Sequence, residues 1–286
     1  MAWLLRHDSL SFASPLAELW TVLLQNEAKV HTAFAWLMLI VGAVVVGVEL
    51  GGGVAATYGR YATAPSARWF GPTIPAKAAW VFQEMWSVLV ALALLPFADP
   101  ACLASPANRA LGAMFLTHYT YRSFIYPFRM RGGKPMPVLI CLLAAIFCMF
   151  NGYLQARLWT KLRVYSLDSA SDVLWLVFGT TVWLAGWYTN LDSDAILRNL
   201  RKPGKSGYKI PRGGMFEYVS GANYLGEFVE WSGYAIASQL DIGCVAFAVF
   251  TVCNTGPRAF HHHQWYRAKF KGEYPEERRA LIPFVW

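Results

Sequence analysis

The stretch "AAWVFQEMWSVLVALALL", residues 78–95, is long and apolar enough to cross a bilayer, yet it carries Glu84 a third of the way in. A charge in hydrocarbon is costly, so an ionisable residue inside a spanning segment faces the bundle interior or a cavity and marks a site. Glu84 is therefore the first functional candidate. Trp80 shares its helical face at i−4 and Gln83 is its neighbour in sequence.

The rest of the chain supports a membrane reading. Of 286 residues, 56% are hydrophobic and only 15% charged, where a soluble domain carries about 25%. Windows able to cross roughly 30 Å of hydrocarbon fall at 32–50, 77–97, 110–128, 136–157, 172–190, 217–237 and 239–255. The expected fold is an all-α, polytopic membrane protein of seven transmembrane helices in a single domain, 1–286. With seven helices, eighteen Lys and Arg residues fall on one side and six on the other, Arg122 lying within the third helix. The positive-inside rule then places the C-terminus in the cytoplasm and the N-terminus outside. Arg6, His7, Asp8 and Glu18 interrupt the first 29 residues, so a cleaved secretory signal is not expected.

The net charge of +8 follows from this topology and does not call for nucleic acid. Five cysteines lack any CxxC spacing, and four sit in apolar segments as small hydrophobes. The run His261, His262, His263 suggests a metal at first sight, but helical neighbours point about 100° apart and the i, i+4 pair of zinc sites is missing. No metal is expected.

Polar groups within the weaker windows extend the candidate site. The third helix, "HYTYRSFIY", brings His118, Tyr119, Arg122 and Tyr126. Tyr126 fits an interfacial belt, whereas Tyr119 and Arg122 lie one turn deeper and fit a polar cavity. A Tyr hydroxyl beside a protonated, buried Glu would form a two-donor site for a developing oxyanion. Glu84 and Tyr119 are on separate helices, so the sequence leaves their meeting open. On the cytoplasmic side, Asn190, Asp194, Arg198, Arg201, Lys202, Tyr208, Asn223, Glu227, Glu230, Arg258, His261, His262, His263 and Tyr266 mix cations, amides and hydroxyls. That mixture fits a phosphorylated nucleotide cofactor. Neither a GxGxxG fingerprint on a strand nor a GxxxxGK[ST] loop is present, and no strands are expected.

The segments "NLDSDAILRNLRKPG", "YKIPRGGMFEYVSGANYLGEFVEWSGYA", "RAFHHHQWY" and "ALIPFVW" closely resemble the C-terminal half of steroid 5α-reductases, the type 2 enzyme most closely. "FQE" and "HYTYRSFIYPFRMRGG" match the N-terminal motifs of that family. The resemblance implies an NADPH-dependent reductase that saturates the 4,5 double bond of a 3-oxo-4-ene steroid. It implies catalytic roles for Glu84 and Tyr119 at the C3 ketone; Trp80 and Gln83, flanking Glu84, and Arg122, in the polar stretch with Tyr119, are then the expected substrate-binding residues. It assigns the cofactor to Asn190, Asp194, Arg201, Tyr208, Asn223, Glu227, Arg258, His262 and Tyr266. The implied protein is a monomer integral to the endoplasmic reticulum, or to the inner membrane of a bacterium. Asp192 and Gln264 stand where the family often has His and Arg, and the fourth helix departs more. The same fold could instead reduce a polyprenol-type lipid or a long-chain enoyl thioester. A seven-helix transporter or receptor would need no nucleotide.

Overall fold

A computed structural model describes residue 22 and residues 25–52, 69–200 and 207–286. Arg201 lies outside these residues, as do Arg6, Arg60, Arg68, Lys202 and Lys205 of the charge tally. The described chain is all-α apart from one small strand pair.

Helix α1 spans Glu27–Val46 and runs into a π-helical turn, Gly47–Gly51. Helix α2 spans Ala76–Leu94, and the short α3, Pro100–Ala104, follows it. Helix α4 spans Pro106–Thr120, then a π-helical turn Tyr121–Ile125, then α5, Tyr126–Arg129. Helix α6 spans Val138–Arg157 and ends in a third π-helical turn, Leu158–Leu162. Helices α7, Ala170–Leu200, α8, Ala222–Ala237, and α9, Ile242–Lys269, complete the bundle.

Local chemistry sets several of these boundaries. Asp99 and Ser105 cap α3 and α4, each followed by a Pro whose missing N–H is not needed at a helix start. Asp241 caps α9 by accepting from Gly243 N at 2.9 Å. The third segment therefore begins at 106 rather than 110. Helices α7 and α9 continue well beyond the expected limits of 190 and 255. Hydropathy windows register apolar length, whereas the backbone ladder continues through "LDSDAILRNL" and even past Pro257, which deletes one bond within α9. At 31 residues, α7 is roughly 47 Å long. One expectation is corrected outright: β1, Thr73–Ile74, pairs antiparallel with β2, Met136–Pro137.

Among the described residues, three segments are long and apolar enough to cross a membrane: Glu27–Gly51, Ala76–Phe97 and Val138–Leu162. Their outer faces are apolar too. On α1, Trp36, Ile40 and Val44 are exposed in one row while His31, Ala35, Met38 and Gly42 face inward. Leu142, Leu143 and Ile146 on α6, and Leu174, Val177 and Phe178 on α7, are likewise exposed. Apolar surface of this extent marks a lipid or partner face.

Helix α1 packs on α9, α2 on α6, and α7 on α8. The α7–α8 seam is made of glycines. A Cβ on Gly186 would come within 2.1 Å of Glu230 N, and one on Gly226 within 2.5 Å of Asn190 N. Small residues let two backbones touch, the usual device where helices meet in lipid. Backbone contact here places Asn190 and Asp194 beside the polar face of α8. Beneath them lies an aromatic core in which Phe115, Tyr119, Trp231, Tyr234 and Phe247 are buried. A second core, from Phe216, Val219, Ala222, Leu225, Ala259 and Leu281, docks the tail against α8 and α9.

Candidate active site

Helix α2 presents Trp80, Gln83, Glu84 and Ser87 along one stripe, the i, i+3, i+4, i+7 pattern of a single face. Gln83 and Ser87 are buried, and Glu84 is half-buried. Opposite them, α4 and its π-helical turn present His118, Tyr119 and Arg122. A π-helical turn shifts the side-chain register, and such turns recur at functional sites.

Arg122 is the hub of the cluster. It is buried, donates to Asp194 Oδ2 at 3.0 Å, and lies 3.6 Å from Glu227 Oε1. Its guanidinium sits 5.0 Å from the Trp80 ring centre and 4.6 Å from that of Tyr126, within reach of cation–π attraction. Asn190 Nδ2 donates to Asn223 O at 3.0 Å and to Glu227 Oε1 at 3.4 Å. Trp80 and Arg122, expected at the substrate, thus share one assembly with Asn190, Asp194, Asn223 and Glu227, expected at the cofactor. Glu84 lies within electrostatic range of Arg122, His118, Tyr119 and Glu227. One expectation changes. Tyr126 is not merely interfacial, because its ring contacts Arg122 and, at 5.3 Å, Trp80.

Tyr119 is buried beside His118 and Trp231. Its hydroxyl accepts from Asn151 Nδ2 at 3.1 Å. His118 Nδ1 is 2.7 Å from Glu230 Oε1, both fully enclosed. Neither contact is visible in sequence, where 32 and 112 residues separate the partners.

Of the other expected cofactor residues, Arg258, His262 and Tyr266 lie on the C-terminal half of α9 and Tyr208 packs against it. Arg258 donates to Asn254 Oδ1 at 3.0 Å and lies 3.9 Å from Glu49 in the π-helical turn after α1. Burial holds its guanidinium below the usual range, with Glu49 opposing. His262 faces Tyr224 at 5.8 Å. Tyr208 meets Trp265 edge-on at 4.7 Å, and Tyr266 stacks on Tyr274 at 5.4 Å. The three histidines diverge: His261 bonds Glu49 O at 3.1 Å, and His263 Nδ1 is 2.7 Å from Ser220 Oγ, which also meets Tyr274. Among the described residues no group of three or more metal-ligating side chains converges.

A nucleotide needs unsatisfied donors and acceptors, and α7 carries them. Asn190 Oδ1, Ser193 Oγ and Arg198 Nη1 are buried without a hydrogen-bond partner among the described residues. Buried polar groups are rarely left so. An amide oxygen, a hydroxyl and a guanidinium along one helix suit an amide-, hydroxyl- and phosphate-bearing ligand.

Residues 134–286 match the family described as 3-oxo-5-alpha-steroid 4-dehydrogenase. The chain is 50% identical over 266 residues to 3-oxo-5-alpha-steroid 4-dehydrogenase 1 of Macaca fascicularis, covering 92% of this chain and 97% of that one. Against the same-named protein of Homo sapiens it is 49% identical, covering 91% and 97%. With 3-oxo-5-alpha-steroid 4-dehydrogenase 2 of Rattus norvegicus the identity is 43%, over 82% and 89%. The likeness expected toward the type 2 enzyme is thus stronger toward these type 1 relatives. At 266 aligned residues it also extends ahead of the "FQE" motif. The chain belongs to the 3-oxo-5-alpha-steroid 4-dehydrogenase family of oxidoreductases.

Proposed function

We propose that this chain reduces the 4,5 double bond of 3-oxo-4-ene steroids, of the testosterone and progesterone type, to 5α-steroids with NADPH. The observation that carries the reading is the Arg122 assembly, in which the helix bearing Tyr119 is tied to Asp194 and Glu227 beside Trp80 and Glu84. Family membership supplies the reaction class.

Glu84 and Tyr119 hydrogen-bond the C3 ketone oxygen and draw electron density toward it. When bound, NADPH supplies a hydride equivalent to the β-carbon, C5. The two donors stabilise the negative charge that collects on the ketone oxygen as the enolate forms, and protonation at C4 completes the reduction. Their hydrogen bonds strengthen as that charge develops, which is the condition for raising turnover rather than affinity alone. Trp80, Gln83 and Arg122 shape the steroid end of the site. Asn190, Asp194, Arg201, Tyr208, Asn223, Glu227, Arg258, His262 and Tyr266 hold the cofactor. The single domain spans the membrane seven times, N-terminus outside and C-terminus cytoplasmic, which puts the cofactor residues where NADPH is available. The protein is a monomer, in the endoplasmic reticulum of a eukaryote or the inner membrane of a bacterium.

The deciding experiment incubates detergent-purified protein with NADPH and testosterone or progesterone and measures the 5α-reduced product by mass spectrometry, with Glu84→Gln in parallel. Product from the wild type and a loss of about 10²–10³-fold in the variant, at unchanged NADPH affinity, is expected. NADPH binding without reduction of either steroid would move the substrate to another unsaturated lipid.

A further inference from the structure

A tyrosine hydroxyl can give or accept a hydrogen bond, and only the giving form polarises a ketone. What sets the direction at Tyr119 can be traced from the backbone outward. The Gly243 carbonyl of α9 only accepts, and the Gln155 group facing it at 3.1 Å is therefore the NH₂. That orientation leaves Gln155 Oε1 toward the Cys244 thiol, which lies 3.3 Å away and donates to it. The same Gln155 Nε2 also faces Asn151 at 3.1 Å, so the Asn151 atom it meets must be the carbonyl oxygen, Oδ1. The Asn151 NH₂ is thereby turned to the Tyr119 hydroxyl at 3.1 Å.

Every member of this relay is buried, Asn151 and Gln155 completely. A reversed amide would set a carbonyl against a carbonyl and leave buried donors without partners, at a cost of about 1–3 kcal/mol each. The chain of bonds has one polarity, and that polarity ends with Asn151 donating to the phenolic oxygen. The Tyr119 proton must point elsewhere. Ser87 lies beside the phenol, and its own proton goes to Cys148 O at 3.2 Å. Its oxygen can hold the Tyr119 proton until a better acceptor arrives.

We infer that Asn151 and Gln155 are positioning residues that oblige Tyr119 to act as a hydrogen-bond donor toward the substrate oxygen. The inference rests on the reading of Tyr119 as a ketone donor. It explains why an apolar, lipid-facing helix keeps two carboxamides one turn apart on its inner face, where leucines would pack without needing partners.

The test is Asn151→Asp, which preserves shape and reverses polarity. The new carboxylate accepts from both Gln155 and Tyr119, and the phenolic proton is withdrawn from the site. Turnover of the 3-oxo-4-ene steroid should fall by about 10²–10³-fold, the loss associated with one oxyanion donor, with KM changed less than about threefold. The preference for binding a 3-oxo steroid over its 3-deoxy counterpart, measured by titration without turnover, should shrink but not vanish, because Glu84 remains as the second donor. In a Tyr119→Phe background, Asn151→Asp should cost less than about threefold more, because residues acting through one group are non-additive.

A full additional loss in that background would show that Asn151 only supports packing and would overturn the inference. Near-normal turnover of Tyr119→Phe alone would instead remove Tyr119 from the mechanism, a separate failure. Should Asn151→Asp not fold, Asn151→Ala and Gln155→Met carry the same test. Each should lower kcat several-fold with Tyr119 present and leave the Tyr119→Phe enzyme unchanged. An equal effect in both backgrounds, or none in either, overturns the inference.

Discussion

Two buried arginines, Arg157 and Arg122, each meet carboxylates from distant parts of the chain, yet they build opposite kinds of cluster. Arg157 makes a two-pronged contact with Glu27, at 2.5 and 2.7 Å, joined by Lys161 at 3.1 Å and Tyr153 at 3.2 Å. One acid faces two cations and a hydroxyl, and the contact ties α6 to the start of α1. Around Arg122 the balance is reversed. Asp194, Glu227 and Glu84 lie near one guanidinium, two aromatic rings flank it, and neighbouring polar atoms of Asn190, Ser193 and Arg198 have no hydrogen-bond partner among the described residues. Saturated ion pairs hold helices together. Unsaturated ones keep the capacity to meet a ligand.

The contrast can be broken most sharply at Arg157. Arg157→Leu leaves Glu27 buried without its main partner, which should cost about 3–5 kcal/mol of stability. Thermal unfolding in detergent should show the loss, while kcat per folded molecule stays near wild type. Glu84→Gln should do the reverse, with turnover falling by about 10²–10³-fold and the melting temperature little changed. Substantial lost activity in the folded Arg157 variant, or lost stability in the Glu84 variant, would erase the distinction between staple and site.

A smaller effect is expected at the glycine seam. Gly186→Ala forces a methyl group against the backbone of α8 and should cost about 1–3 kcal/mol. It should also weaken NADPH binding, because the seam sets Asn190 and Asp194 against Asn223 and Glu227. A variant that melts lower but binds NADPH normally would separate the seam from the cofactor face.

The smallest effect is a pH dependence at the docked tail. Burial, with Arg267 and Arg279 nearby, lowers the His263 pKa below its ordinary 6.5. Its neutral form belongs to the folded state, so the unfolded chain binds the extra proton first. Stability is full above pH 6.5 and declines as pH falls toward the lower folded value. Melting temperature between pH 7.5 and 5.5 checks this, and His263→Gln should flatten the His263 contribution to the curve.

Much of this protein is legible in its residues, and the reason is visible in each case. Glu84 stands out because a carboxylate contradicts the apolar run around it. Tyr119 and Arg122 stand out because "HYTYRSFIY" sits in a window that hydropathy alone rejects. Asn151 and Gln155 do not stand out. Two neutral amides in "CMFNGYLQARLW" are compatible with a spanning helix, and their significance is the direction of their hydrogen bonds. The Glu49–Arg258 and Glu27–Arg157 contacts are hidden for another reason, since their partners are more than a hundred residues apart.

Composition and hydropathy by themselves determined that the chain is helical and built for a membrane, because both depend on side-chain transfer free energies and the local backbone ladder. Motif spelling determined the family. Only the tertiary structure decided that Trp80, Asn190, Asp194, Asn223 and Glu227 gather around Arg122, that α7 and α8 touch backbone to backbone, and that Asn151 donates to the Tyr119 hydroxyl. Those outcomes depend on which faces of separate helices meet. A one-dimensional pattern ranks the faces by polarity, but the distances and hydrogen-bond directions between them exist only after packing.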